Sequence, residues 1–232
     1  LVLKGGGDPK LTYERLWQLV RQLRARGLRE IRGDVILDRS YFAPAAHDPG
    51  KFDGESRRAY NVGPDALLVN FKAVDFRFVP AGTGVRVLGE PDFPNVEIAS
   101  RVKAVAGPCN NWRRGLQYEI EENGLLATVV FSGTYPAECG EKTWPLSVFD
   151  ADRYTESAFR WLWSEAGGRF LGKVRAGAAP AGAALFLRFE SEPLGALVRD
   201  MNKFSNNVMA RQLFLALSAE KGGGPGENTA SA

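Results

Sequence analysis

Residues 200–217 read DMNKFSNNVMARQLFLAL, and the reading of this stretch decides the fold. Upstream of it, Leu194, Leu197, Val198 and Met201 recur at intervals of three and four, the spacing of one helix face. Downstream, Val208, Met209, Leu213, Phe214 and Leu217 repeat the pattern. The polar cluster 202–207 between the two runs predicts a helix-to-helix break, with Ser205, Asn206 and Asn207 placed to N-cap the second helix. Ser and Asn ahead of a helix are common. The spacing alone therefore establishes a cap and no chemistry.

The chain has 232 residues, 44% hydrophobic and 25% charged, the balance of an ordinary globular protein with room for a sizeable core. Thirty Lys and Arg against 27 Asp and Glu leave a net charge of +3. The cations are scattered, whereas a nucleic-acid binder concentrates them in a stripe, so nucleic acid is not an expected partner. No apolar run approaches the roughly 20 residues that span a bilayer, so no transmembrane segment is expected. The opening Leu1-Val2-Leu3-Lys4 lacks the basic start and long apolar stretch of a signal peptide, and there is no initiating Met. The cysteines are Cys109 and Cys139, and the single histidine is His47. That is too few ligands for the usual zinc site, and no metal or cofactor is expected. Two buried thiols or one disulfide both remain open for Cys109 and Cys139, the disulfide favoured if the protein is exported.

The alternation of secondary-structure periods along the chain predicts an α/β fold plus a β module. Leu1 to Lys4 alternates as a strand end. Gly5-Gly6-Gly7-Asp8-Pro9 lacks both phosphate-loop signatures and reads as a loop, with Asp8 as N-cap and Pro9 at N1 of a helix from about residue 10. Leu16, Trp17, Leu19, Val20 and Leu23 make that helix amphipathic, and Gly27 suits its C′ position. A strand follows from Ile31 to Asp38. In the polar loop after it, Asp53 and Glu55 fit paired carboxylates or metal ligands, yet two acids in a polar loop read first as solvated surface. From Leu67 to Val79 the pattern turns to strand alternation, and five or six short strands run to residue 147, with Asn123-Gly124 a hairpin signal. After Asp150 a helix returns, capped by Asp152 and stopped by Gly167-Gly168, then a strand from Phe170 to Val174. Ile31-Arg32-Gly33-Asp34-Val35 against Leu171-Gly172-Lys173-Val174 is a weak repeat, which predicts two βα halves in one α/β domain with the β module inserted between them. A further strand is expected at Leu185 to Phe189, and a flexible tail at 221–232.

The string Met201-Asn202-Lys203-Phe204-Ser205-Asn206-Asn207-Val208-Met209-Ala210 resembles the Ser-x-Asn segment of the D-alanyl-D-alanine carboxypeptidase/endopeptidase family typified by penicillin-binding protein 4, the class C low-molecular-mass penicillin-binding proteins. Penicillin-recognising serine enzymes combine Ser-x-x-Lys, Ser-x-Asn and Lys-Thr-Gly. Leu3-Lys4-Gly5-Gly6-Gly7-Asp8-Pro9, Ile31 to Val35 with Asp38, Ser40 and Phe42, and Arg58-Ala59-Tyr60-Asn61 with Leu67 to Asn70 are similar to that family too. The resemblance implies a fragment of a transpeptidase (serine β-lactamase-like) fold. Residues 1–71 and 148–190 would form an inserted α/β domain, 72–147 a small mostly-β domain carried on it, and 191–232 part of the catalytic domain. The nucleophile would precede residue 1 and Lys-Thr-Gly would follow residue 232.

The literal matches inside the chain do not serve. Ser100 and Lys103 sit three apart in a strand and face opposite sides. Ser218 and Lys221 lie at a helix end beside a glycine run. Lys142-Thr143 continues into Trp144. By resemblance, the whole enzyme is a penicillin-sensitive, periplasmic, exported bacterial hydrolase that cleaves D-Ala-D-Ala ends or cross-links of peptidoglycan stem peptides through an acyl-enzyme, with β-lactams as covalent inhibitors. Ser205 is then catalytic, Asn207 binds the substrate amide, Lys203 adds positive charge, and Asn206, the wildcard, has no direct role. A β-lactamase shares Ser-x-Asn but not large inserts at this point. The alternative from another class is a non-catalytic module of the cell envelope that binds peptide or glycan through the β insert.

Overall fold

A computed structural model describes residues 1–222 and 225–227. In chain order its elements are β1 (Val2–Lys4), α1 (Tyr13–Ala25), β2 (Glu30–Ile31), β3 (Val35–Asp38), β4 (Ala73–Ala81), β5 (Gly84–Glu90), β6 (Val96–Val105), β7 (Leu116–Asn123), β8 (Leu126–Pro136), β9 (Lys142–Ser147), α2 (Ala151–Glu165), β10 (Arg169–Phe170), β11 (Val174–Ala176), α3 (Leu194–Lys203) and α4 (Asn207–Gly222). The chain divides into two compact units, Leu1–Lys72 with Asp150–Ala232, and Ala73–Phe149. Together they make a mixed α/β fold.

The first unit is built on a parallel sheet in the order β1-β3-β11, with a two-stranded pair β10-β2 beside it. Parallel neighbours need a crossover, and α1 and α2 supply it. Leu16, Val20 and Leu23 form the buried stripe of α1, each contributing roughly 1.5–3 kcal/mol by leaving water. The helix starts at Tyr13, later than the Asp8 cap predicts, because Asp8 is spent on a turn: its Oδ1 accepts the Lys10 N–H at 2.8 Å. For α2 the cap is Asp150, whose carboxylate accepts the Arg153 N–H at 2.9 Å, and Asp152 lies in the first turn.

The weak repeat in the sequence corresponds to one register. Glu30 lies opposite Arg169, Ile31 opposite Phe170, Val35 opposite Val174 and Leu37 opposite Ala176. The breaks between β2 and β3 and between β10 and β11 run side by side. A Cβ on Gly172 would meet the Gly33 carbonyl oxygen at 2.3 Å, so only glycine lets the two backbones pass. Both crossover helices end in the same Schellman motif. After α1, Gly27 N–H donates to Arg24 O and Leu28 N–H to Leu23 O, and after α2, Gly167 donates to Ser164 O and Gly168 to Trp163 O. The Arg24 guanidinium joins these ends by donating to the carbonyls of Leu28, Arg29, Ala166 and Gly167 while lying over the Trp163 ring.

Two expectations give way to tertiary contacts. The segment Leu185 to Phe189 forms no strand. Among the described residues it has no neighbour to ladder with, and arginine side chains take its nearby carbonyls, Arg26 at Phe186 O and Arg15 at Glu190 O. Nor does a strand begin at Leu67. Asn70, Phe71 and Lys72 all take left-handed backbone, with φ of 45°, 51° and 51°. Asn70 is pinned at three atoms, donating its N–H to Leu11 O and its amide to the Tyr154 hydroxyl while accepting the Tyr13 N–H. The ladder starts only at Ala73. Of the expected flexible tail, Lys221 and Gly222 end α4, and Gly226 pairs with Phe42; residues 223, 224 and 228–232 lie outside the described residues.

The second unit is a six-stranded sheet in the order β7-β8-β6-β5-β4-β9. Asn123 pairs with Leu126 across the expected hairpin, and Gly124 supplies the left-handed turn residue, φ 61°. One long parallel pair, β6 with β8, interrupts the otherwise antiparallel ladder. Alternate residues Phe76, Phe78, Phe131 and Tyr135 are fully buried, and their rings meet in tilted, edge and stacked contacts 4.9–5.9 Å apart. Cys109 and Cys139, separated by 30 residues, are bonded as a disulfide. A loop of that length restricts the unfolded chain by roughly 3.5 kcal/mol on the chain-entropy model. We predict that reduction, or Cys109→Ser with Cys139→Ser, lowers the unfolding free energy of this unit by about that amount in urea titrations followed by Trp fluorescence. A loss below about 1 kcal/mol refutes the prediction.

Candidate functional site

The two-helix stretch α3–α4 turns on a single residue. After α3, Ser205 N–H donates to Asn202 O at 3.3 Å and Asn206 N–H donates to Met201 O at 3.0 Å, the bond pair that ends α1 and α2. The third Schellman end places Ser205 at C′ with φ 49°. The first two use glycine there, Gly27 at φ 93° and Gly167 at φ 74°. A side chain in left-handed backbone costs roughly 1–2 kcal/mol that glycine does not incur. The chain thus meets one steric problem three times and departs from the low-cost residue once, at the serine singled out by sequence.

Asn206 takes the capping role. Its Oδ1 accepts the Met209 N–H at 3.0 Å and its carbonyl accepts the Ala210 N–H, so it is the N-cap of α4. Of the three capping candidates read from the sequence, the wildcard position of the motif is the one that caps the helix. With the cap supplied by Asn206, the hydroxyl of Ser205 and the amide of Asn207 are not consumed by the helix end. Lys203, Ser205 and Asn207 are all exposed, and the Lys203 ammonium lies 5.2 Å from the centre of the exposed Phe204 ring. The three residues named from sequence therefore share one short segment and one helix junction.

What holds that junction is the opposite face of α4. Val208 packs with Val62 and Leu68, and Leu215 with Phe42 and Ala66. Between them Gln212, fully buried, acts as a backbone mimic: its Oε1 accepts the Asp65 N–H at 2.9 Å and its Nε2 donates to Asp65 O at 2.8 Å. Asp65 in turn accepts from Arg39 Nε at 2.8 Å, and Arg39 pairs with Asp152 of α2. A lone polar residue in the 208–215 apolar stripe was the available sequence signal for Gln212. Asp65 had none.

The other sequence candidates fall elsewhere. Asp53 and Glu55 do not form a catalytic pair. Asp53 accepts from the Tyr60 hydroxyl at 2.6 Å and the Asn61 amide at 2.7 Å, and Glu55 bonds Arg58. The Tyr60 hydrogen bond, helped by those from the Glu55 N–H and Asn61, keeps the Asp53 carboxyl below its ordinary pKa against the opposing effect of desolvation. These bonds organise the loop 47–61. The His47 ring makes a hydrogen bond to Asn61 O at 2.7 Å. Ser100 Oγ donates to Val85 O on the neighbouring strand, Ser218 Oγ accepts from the Glu227 N–H, and Trp144 after Lys142-Thr143 is buried. Among the described residues no three His, Cys, Asp or Glu side chains gather as a metal site, and no helix is long and apolar enough to cross a membrane.

The model of the D-Ala-D-Ala carboxypeptidase 3 (S13) family matches residues 1–232. A D-alanyl-D-alanine carboxypeptidase of Haemophilus influenzae is 25% identical over 94% of the chain and 45% of its own length. One from an Actinomadura species is 26% identical over 96% and 43%. The chain thus spans about half the length of the curated relatives it matches. The crystal structure of penicillin-binding protein 4 from Haemophilus influenzae superposes with a TM-score of 0.74 at 23% identity, over 98% of this chain and 50% of that one. The same protein complexed with a β-lactam gives 0.67 at 21%, over 98% and 48%. At those identities the superposition establishes a shared fold.

Substitutions at adjacent positions of the junction are predicted to act with opposite sign. Ser205→Gly raises the unfolding free energy by roughly 0.5–1 kcal/mol, the relief of left-handed strain less the added freedom of the unfolded glycine. Asn206→Ala lowers it by about 1 kcal/mol through loss of the cap. Equilibrium urea denaturation of the two variants checks both, and a destabilised Ser205→Gly contradicts the backbone assignment.

Proposed function

The chain belongs to the D-Ala-D-Ala carboxypeptidase 3 (S13) family, and from that membership we propose that it is the middle of a penicillin-sensitive serine D-Ala-D-Ala carboxypeptidase and DD-endopeptidase acting on peptidoglycan stem peptides. In this reading residues 1–71 and 148–190 are the inserted α/β domain, 72–147 the mostly-β insert, and 191–232 part of the transpeptidase-like catalytic domain. The observation that carries it is the backbone of Ser205: a serine kept at a left-handed C′ position, its cap duty taken over by Asn206. Of the three Schellman helix ends, two carry glycine at C′ and the one at the motif carries serine, which supports a functional side chain there.

The reaction then runs as acyl transfer. A serine of the family's Ser-x-x-Lys motif attacks the carbonyl of the penultimate D-Ala, and the motif lysine takes its proton. Ser205, hydrogen-bonded to that lysine, passes a proton to the leaving amine, so the C–N bond breaks and terminal D-Ala departs. The Asn207 amide holds the peptide amide of the acyl portion. Lys203 adds positive charge to the rim of the site. Water then attacks the ester and frees the enzyme. A β-lactam enters by the same attack and stops at the acyl-enzyme, in line with the β-lactam complex of the Haemophilus relative. In this reading the protein works in the periplasm, which the peptidoglycan substrate and the Cys109–Cys139 disulfide support.

Intact-mass measurement of the full gene product with excess benzylpenicillin tests the reading. One stoichiometric penicilloyl adduct is expected. Ser205→Ala should slow its formation on the order of 100-fold or more, the scale of lost proton transfer. Asn207→Ala should weaken productive acylation about tenfold, the scale of one hydrogen bond. A full-length protein that takes no adduct favours instead a non-catalytic envelope module that binds peptide or glycan.

A further inference from the structure

The α4 side of the junction is held by a continuous buried face, but the α3 side is not. Leu197 is the one described residue of α3 that is fully buried, and Leu194 at its start is 59% exposed. The segment leading into α3 joins no sheet. Yet α3 carries Lys203 on its last turn, and the carbonyls of Met201 and Asn202 accept the bonds that set the Ser205 backbone. A second, polar constraint acts on it as well.

The loop after β1 supplies that constraint. Lys10 Nζ donates to Asp200 Oδ2 at 2.7 Å and to Glu192 at 3.3 Å (Oε1) and 3.2 Å (Oε2). One ammonium therefore clasps the residue two positions before α3 and another in its final turns. The Asp200 side chain is 17% exposed, so the bond is partly shielded from water. The only other cation on Asp200 among the described residues is Arg199 at 3.6 Å, itself 75% exposed. Lys10 is in turn held from behind. Its N–H donates to Asp8 Oδ1, Asp8 pairs with Arg15 at 3.7 Å, and Arg15 donates to Glu190 O while lying 5.1 Å from the Phe189 ring centre. Each partner of the clasp supports the other's charged form: the bond from Lys10 lowers the Asp200 pKa, and the bond to Asp200 raises that of Lys10.

We propose that Lys10 is a positioning residue for the Ser205 element, clamping α3 through Asp200 and Glu192 so that Lys203 and the left-handed Ser205 stand in reacting geometry. Lys10 touches no reacting atom and acts through the helix. As a role in acylation the proposal rests on the carboxypeptidase reading, whereas the clamp itself does not. A shift of about 1 Å in a group taking part in proton transfer can cost on the order of 100-fold in rate. Loss of the clamp should therefore appear in the chemical step rather than in binding.

The experiment uses the full-length protein and separates the pre-covalent dissociation constant of benzylpenicillin from the first-order acylation constant by stopped flow. Lys10→Met is expected to lower the acylation constant tenfold or more and leave the dissociation constant within about twofold. Lys10→Arg, which keeps the charge, should restore most of the rate. Asp200→Asn should lower it less, because Glu192 still holds Lys10, and Lys10→Met with Asp200→Asn should be no slower than Lys10→Met alone. An unchanged acylation constant in Lys10→Met, a loss confined to the dissociation constant, or equal rates for the Met and Arg variants overturns the proposal. Amide hydrogen exchange provides a readout independent of activity: in Lys10→Met the amides of Phe204, Ser205 and Asn206 should exchange faster while that of Gln212 does not. If the native protein forms no adduct, the carboxypeptidase reading fails, and exchange alone then decides whether Lys10 positions this element. Unaltered exchange overturns that too.

Discussion

The Schellman end that passes the chain from α3 into α4 puts one residue in left-handed backbone, and here that residue is Ser205. The cost is borne because both flanks over-determine it. Behind Ser205, α4 is docked through Val208, Gln212 and Leu215, and the Gln212 amide reproduces a backbone pair with Asp65 that no apolar residue could replace. Leaving the partly buried Asp65 N–H and C=O without partners would cost at most about 1–3 kcal/mol each, the same scale as the strain at Ser205. Relaxing Ser205 by moving α4 is therefore not a favourable route. The serine stays strained because its surroundings would lose more by releasing it.

The same logic of fixed termini runs through the first unit. Arg24 spends its guanidinium on four carbonyls at the ends of α1 and α2 and stacks on Trp163, tying together the two crossover helices of a sheet whose strands are only two to four residues long. Short parallel strands give few ladder bonds, so the helices and their ends must supply the definition that a longer sheet would provide by itself. On the outer strands β10 and β11 and the break between them, Arg169, Lys173 and Arg175 are exposed, and Arg175 pairs with Asp34. Charged side chains on an edge discourage pairing with another chain.

Much of this was legible in the sequence, and the failures have identifiable causes. The helix break at 202–207, the Gly27 stop, the Asn123-Gly124 hairpin and the paired halves all rest on local rules, glycine or asparagine at a special φ and apolar period, which act over a few residues. The strand expected at Leu185 to Phe189 failed because strand propensity needs a neighbour, and the sequence does not say where one is. The strand start at Leu67 failed for a similar reason: Asn70 is held by Leu11, Tyr13 and Tyr154, distant in sequence, and that contact overrides the alternation. In the candidate site, Ser205, Asn207 and Lys203 could be singled out because they stand in one motif. Asn206, Gln212 and Lys10 could not, since their roles arise from partners elsewhere in the fold or from a cap geometry that several neighbouring residues could equally have supplied.

The insertion of a β unit into an α/β sheet raises a question of continuity, since β3 and α2 are consecutive elements of the α/β unit yet lie more than a hundred residues apart. The register of the β unit answers it. Its first and last strands, β4 and β9, are antiparallel neighbours, and Ala73 pairs with Ser147. The unit therefore begins and ends at adjacent points on one edge of its own sheet. Seen from the α/β unit, six strands replace what could be a short turn, and closing the chain costs little more than the turn would, because loop-closure entropy grows only with the logarithm of length and the inserted strands fold on their own core. The left-handed turn at Asn70 to Lys72 sits at the outgoing point, pinned by Leu11, Tyr13 and Tyr154, all of the first unit. Lys72 lies within electrostatic reach of Asp150, where the chain returns. Outgoing and returning ends are thus both secured before the β unit starts, which lets the two halves of the parallel sheet pair as though the insert were absent.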